Sequence, residues 1–372
     1  MMWYEKAMTD FSTATTTYRH PRGLRWQCNG CAKCCSSGLA IGPVEPDVVQ
    51  GLQQRNIEEQ WPRAREGWFN EQQAPDGSTQ YFFRLRDGRC VFLREDNLCA
   101  IHALLGPEAK PGFCREFPYH FVQDAHGISA VIRPACGSFF EGFQRDDEVG
   151  PELARVHALP RVVPHRRWSP AHAVVLPGKA VAAESWLRVE EALLERLAER
   201  DEPPTESVAY VRHTLCAILD VSLPPAVTQH YEGALDALLT VLARVLEEQR
   251  NTSRGYAPDH RRRFLEQSLE RIQSAGANGA APWDHEEQAY ANMLLRSFLL
   301  SKGFANWGGL PEGLGVFLMG LEIAHRASVD EKTSFGEHLA EWVRLRDNQM
   351  IRALLLRASS ATRDLFLHSG GT

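Results

Sequence analysis

The sequence predicts an α+β protein: a small cysteine-rich domain with short strands, followed by a mainly α-helical domain. Three observations lead there. Eight of the nine cysteines fall within the first 136 residues, among short strand-like runs and turn signals. Residues 150–180 carry five prolines, Pro151, Pro160, Pro164, Pro170 and Pro177. Beyond residue 180 the apolar residues recur at the helical period, with no strand signal between them. The layout expected is a cysteine-rich domain over 18–149, a proline-rich connection over 150–180 and a helical domain over 181–360.

In chain order, residues 1–27 are polar and Thr-rich and read as an extended lead-in, since Pro21 biases the preceding residue away from helix. Cys28-Asn29-Gly30-Cys31-Ala32-Lys33-Cys34-Cys35 then places four cysteines within eight residues, in the pattern C-x2-C-x2-C-C. Ser36-Ser37-Gly38 and Gly42-Pro43 read as turns, and Glu45-Pro46-Asp47 as a helix start with Val48, Val49 and Leu52 on its apolar side. Residues 70–78 read as a polar loop. Tyr81–Leu85 reads as a strand, closed by a turn at Asp87-Gly88. Cys90–Leu93 and Leu98–Ile101, flanking Arg94-Glu95-Asp96-Asn97, give a hairpin signal that sets Cys90 roughly opposite Cys99. Cys114 follows Pro111-Gly112, and Cys136 follows a short strand over Ile128–Ile132.

The basic run His165-Arg166-Arg167 reads as solvated surface. In the second half Trp186, Val189, Leu193 and Leu197 mark one helical face, and Leu235, Leu238, Leu239, Leu242 and Leu246 another. Further helices are expected near 206–220, 260–274, 284–302, 311–327 and 335–358, which implies a helical bundle or array without a fixed repeat. Ser274–Ala281 reads as a Gly/Ala-rich loop.

Thiolates are soft ligands that gather around zinc or iron–sulfur clusters, and a C-x2-C pair lets two sulfurs converge from one turn. A disulfide framework belongs mainly to small secreted domains, and this chain has 372 residues, 44% of them apolar. Scattered core cysteines would not cluster in this way, and a redox C-x2-C needs no six further cysteines. The candidate metal ligands are Cys28, Cys31, Cys34, Cys35, Cys90, Cys99, Cys114 and Cys136. Eight thiolates suit two four-ligand sites, or one cluster with cysteines in reserve. Cys34 and Cys35 are adjacent, so their side chains are expected to diverge. His102, His120 and Arg115 lie beside candidate ligands; the histidines read first as hydrogen-bonded structural residues. Cys216, alone among helical residues, reads as core.

The net charge of −6 is mild, and residues 1–145 hold 16 basic against 16 acidic side chains, so no nucleic-acid footprint is present. The N-terminus lacks the basic segment and apolar run of a signal peptide, and no apolar stretch reaches the length of a membrane span. A cytoplasmic location is expected, where thiols stay reduced. No Rossmann fingerprint follows a strand, and the C-x3-C-x2-C motif of radical S-adenosylmethionine enzymes is absent.

Cys28–Cys35, Cys90-Val91-Phe92-Leu93…Leu98-Cys99-Ala100-Ile101-His102 and Cys114-Arg115-Glu116-Phe117-Pro118 together resemble the bacterial CxxCxxCC cysteine-cluster (YkgJ-type) family, over about residues 24–140. That family is described as zinc- or iron-chelating. In size and layout the chain is also similar to its flagellin lysine-N-methylase branch, whose helical half is echoed by Glu286-Glu287-Gln288-Ala289-Tyr290. Leu105–Gly112 interrupts the family's usual run between the second and third blocks. The resemblance implies an Fe–S cluster, 4Fe–4S in preference to zinc. It further implies S-adenosylmethionine as a methyl donor and a protein substrate such as flagellin. The alternative is a non-catalytic zinc-binding or electron-transfer Fe–S protein.

Overall fold

Turn chemistry sets the strands of the first third. The computed structural model describes residues 18–36, 41–74, 77–144, 166–176, 179–200, 202–220, 222–223, 225–253, 259–278, 282–328, 335–346 and 349–370. Asp87 and Gly88 both take positive φ, 53° and 76°, as a two-residue type I′ turn requires. They close a hairpin in which Leu85 faces Cys90 and Arg86 faces Arg89. Strand Thr79–Phe83 lies between Ile41–Val44 and Phe69–Gln73 in a three-stranded antiparallel sheet. The reading of 70–78 as loop is therefore corrected: Phe69–Gln73 is an edge strand, exposed from Asn70 onward. With neither face covered it carries no alternation to read.

Helix Pro46–Gln54 starts where the Glu-Pro-Asp signal put it, with Pro46 in the first turn and Val49 and Leu52 buried. Gly127–Ile132 is the centre of a second sheet, with Tyr18–Arg19 parallel on one side and Tyr119–Asp124 antiparallel on the other. Arg166–Arg167 adds a parallel strand at the far edge of Tyr119–Asp124, and Arg167 is exposed. A last hairpin, His172–Leu176 with Lys179–Ala182, precedes the helices. Residues 1–17, the Ser37-Gly38 turn, the end of the Gly/Ala-rich loop, His165, and Pro151, Pro160, Pro164 and Pro177 lie outside the described residues.

The second half is helical: Ala183–Leu197, Pro204–Leu219, Thr228–Ser253, Asp259–Ala277, His285–Leu300, Leu310–Ser328, Phe335–Arg346, Gln349–Arg357 and Ser359–Leu367. The region 335–358, read as one helix, is helical over Phe335–Arg346 and Gln349–Arg357, and residues 347–348 lie outside the described residues. The two leucine faces named above are buried, except that Val189 is only partly so. Leu310–Ser328 is buried almost throughout and packs on Asp259–Ala277, Phe335–Arg346 and Ser359–Leu367, as expected of a central helix. Gly315 makes the closest of these approaches possible, because a methyl group there would meet the Thr362 carbonyl. Backbone cannot yield as a side-chain tip can. Gly315→Ala is expected to cost about 1–3 kcal/mol, read as a lower denaturant midpoint with an unchanged slope.

Two apolar cores result. One joins Leu24, Trp26, Tyr119, Phe121, Ile132 and Phe139 to the helices. The other is built from residues between Ala32 and Ile101, around Trp68, Phe83 and Phe92. The protein is thus α+β, with small sheets toward the N-terminus and helices toward the C-terminus. Among the described residues, no helix is long and apolar enough to cross a membrane.

Candidate metal centre

The C-x2-C turn is shaped by the two residues inside it. Asn29 accepts a hydrogen bond from the Cys31 backbone through Oδ1 at 3.1 Å, an Asx turn, while Gly30 takes φ 70°, open to glycine at no steric cost. Asn29 Nδ2 donates to Glu141 Oε2 at 2.7 Å, tying the turn to helix Phe139–Gln144 of the first core. The chain then enters the short helix Lys33–Ser36. The expected divergence of Cys34 and Cys35 is corrected, since their sulfurs lie 3.7 Å apart.

Cys90 ends the Asp-Gly hairpin, opposite Leu85. It does not pair with Cys99, which bridges Leu93 instead. The pairing after Cys90 is cut short because Arg94 N–H bonds to Leu98 O at 2.9 Å and the chain turns directly into helix Ala100–Leu105, with Cys99 at its N-cap. Helix Gly112–Glu116 carries Cys114 and is pinned by Gly112 N–H donating to Glu45 Oε1 at 2.9 Å. Cys136 follows strand Gly127–Ile132, with its sulfur 3.3 Å from Ser138 Oγ.

All eight cysteines line one cavity of about 640 Å³. Its wall holds Ile41, Phe83, Phe92, Ile101, Phe113 and Phe117, and among the described residues no carboxylate or imidazole lines it. Cys90 and Cys136 are buried, Cys31, Cys35, Cys99 and Cys114 half-buried, and Cys28 and Cys34 exposed. Among the described residues, no three His, Cys, Asp or Glu side chains already converge on one ion-sized point; the sulfurs stand around the cavity wall. Burial pushes the Cys90 thiol up to about 12 and the Cys136 thiol up to about 11. Burial raises Cys114 as well, and Cys34 rises first through its hydrogen bond with Cys35. Such thiols are poor nucleophiles at neutral pH. A metal must displace their protons to bind, so affinity should strengthen as pH rises.

Among the described residues three cations line the cavity, and sequence reading missed all of them: Lys110, Arg133 and Arg344. Arg344 arrives from helix Phe335–Arg346 and donates to Ala135 O at 2.9 Å, 209 residues away in sequence. Burial lowers its pKa while Cys34, Cys136 and Cys31 oppose that shift. No local pattern announces such a residue, whereas the Asn-Gly pair of a tight turn is a signal that could have found Asn29. Helix Phe335–Arg346 also supplies Glu337, which pairs with Lys33. The candidates His102, His120 and Arg115 do not line this cavity. His120 Nδ1 lies 3.2 Å from Arg133 Nη2. Arg115 donates to Glu108 O at 3.0 Å and faces a separate cavity of about 450 Å³.

The remaining named residues sit elsewhere. Cys216 is partly buried against the first core on helix Pro204–Leu219. Asp284 caps helix His285–Leu300 by accepting from Glu287 N–H at 2.8 Å. Glu287 Oε2 lies 2.9 Å from His325 Nδ1, Glu286 accepts from Gln144, and Tyr290 is buried against Phe139, Phe140 and Phe335.

A family model, CxxCxxCC, described as "Putative zinc- or iron-chelating domain", matches residues 27–137. No curated protein and no solved structure matches the chain. The family match takes in all eight cavity cysteines and ends before the helices, so the likeness to the flagellin lysine-N-methylase branch has no relative behind it.

Proposed function

We propose that this protein binds an iron–sulfur cluster of the 4Fe–4S type in the cysteine cavity, in preference to a lone zinc ion. The observation that carries this reading is eight soft sulfur donors around one cavity of about 640 Å³, with no carboxylate or imidazole among the described residues that line it. That donor set selects zinc or iron–sulfur over harder ions. That space is far more than one four-coordinate ion takes up.

Thiolates would be supplied from Cys28, Cys31, Cys34, Cys35, Cys90, Cys99, Cys114 and Cys136. When bound, such a cluster supplies one-electron chemistry. The chain's own part is to shield it with the aromatic wall and to offset thiolate charge with Lys110, Arg133 and Arg344. Protein purified without oxygen should be brown, with broad visible absorbance that fades on reduction and with iron and sulfide in equal amounts. Colourless protein carrying stoichiometric zinc after the same preparation replaces the cluster with zinc. Protein that takes up neither overturns the reading.

A further inference from the structure

The eight sulfurs ride on two different supports. Cys35, Cys90, Cys99 and Cys114 all pack with the second core, around Phe83 and Phe92. Cys136 belongs to the first core. The turn bearing Cys28 and Cys31 is tied to that same core, because Asn29 bonds Glu141 on the helix that buries Phe139 and Phe140. Cys34 stands where the two groups meet: its sulfur is 3.7 Å from that of Cys35, and it lines the same cavity as Cys136.

Two cations enter the cavity from different parts of the chain: Lys110 lies just before the helix that carries Cys114, and Arg344 donates to Ala135 O, next to Cys136.

We propose that the cavity holds two four-thiolate metal centres side by side, one on Cys35, Cys90, Cys99 and Cys114 and the other on Cys28, Cys31, Cys34 and Cys136, meeting at the Cys34–Cys35 pair. This rests on the reading of the cavity as a metal site. Four thiolates complete either a tetrahedral zinc site or a 4Fe–4S cluster, so the division holds for both metals. Lys110 serves the first centre and Arg344 the second.

The test is metal content of full-length protein purified without oxygen. Wild-type protein should carry about eight iron with equal sulfide, or about two zinc, per chain. Cys99→Ser and Cys136→Ser should each retain half, and the double variant none. A second comparison changes the two cations in each single-cysteine background. Lys110→Gln should speed release to a chelator from Cys136→Ser protein and leave release from Cys99→Ser protein unchanged, with Arg344→Gln showing the reverse. A single centre lost entirely in either cysteine variant overturns the division while leaving the metal reading intact. So does full retention in both, or equal effects of Lys110→Gln in the two backgrounds. No metal in wild-type protein, even after loading with iron and sulfide or with zinc, overturns both readings.

Discussion

Removing the metal should open the cysteine-rich region while the helices persist. The second core is small, and the elements around Cys90, Cys99 and Cys114 are short: two-residue strands at Leu85–Arg86 and Arg89–Cys90, a six-residue helix at Ala100–Leu105 and a five-residue helix at Gly112–Glu116. Elements of that size do not hold themselves together. Sulfurs converging from Cys35 to Cys114 would close them over long loops, and metal binding energy then becomes folding energy, on the order of 10 kcal/mol for structural zinc. Chelator-treated protein should gain protease cleavage sites between residues 37 and 137, and hydrogen exchange there should rise steeply. Far-UV circular dichroism should change little, because Leu310–Ser328 and its neighbours have their own core. Cys216→Ser, far from the cavity, should keep full metal and an unchanged cleavage pattern. Identical cleavage before and after metal removal would show that the second core needs no metal.

How legible this architecture is in the sequence depends on how far each determinant reaches along the chain. The helices after residue 180 are written in local periodicity, and the leucine face from Leu235 to Leu246 is buried as it reads. The Asp87-Gly88 turn is equally local, because only its own backbone demands positive φ. The grouping of eight cysteines is legible in their number and spacing, and one cavity takes all of them. What fails is register and distance. The pairing of Cys90 with Cys99 reads well as a hairpin, yet the helix starting at Ala100 takes the second strand's residues. Phe69–Gln73 is hidden because an uncovered edge strand has no buried face to show. Arg344 has no sequence signal, since its role comes from a helix docking against Ala135. Tyr119–Phe139 likewise shares a core with helices a long way downstream, a partnership set by packing alone.

Lys302→Ala should be the most damaging substitution outside the cysteines, at about 3–5 kcal/mol. The Lys302 side chain is fully buried, with Nζ 2.8 Å from Asp124 Oδ2 and 2.8 Å from Glu190 Oε1. Both carboxylates are themselves buried, and Arg19 stands 3.2 Å from Asp124. The lysine therefore ties the N-terminal sheet to helix Ala183–Leu197 from the loop after helix His285–Leu300. Truncating it leaves two buried carboxylates without their ammonium. Replacing the network together, as Lys302→Met with Asp124→Asn and Glu190→Gln, should restore most of the loss, since neutral groups carry far less desolvation cost. The same network gives a pH signature. Burial pushes the Glu190 carboxyl up to about 7, partly opposed by Lys302. Between pH 4.5 and 7 the unfolded chain gives up this proton while the folded protein keeps it, so stability falls as pH rises through that window, by about 3 kcal/mol. Glu190→Gln has no proton to lose. Denaturant unfolding of both proteins from pH 5 to 8 should show the difference, wild type minus variant, declining toward pH 7 and then levelling. A difference that stays flat, or that grows with pH, would mean that Glu190 is already ionised at pH 5 and that Lys302 holds it so.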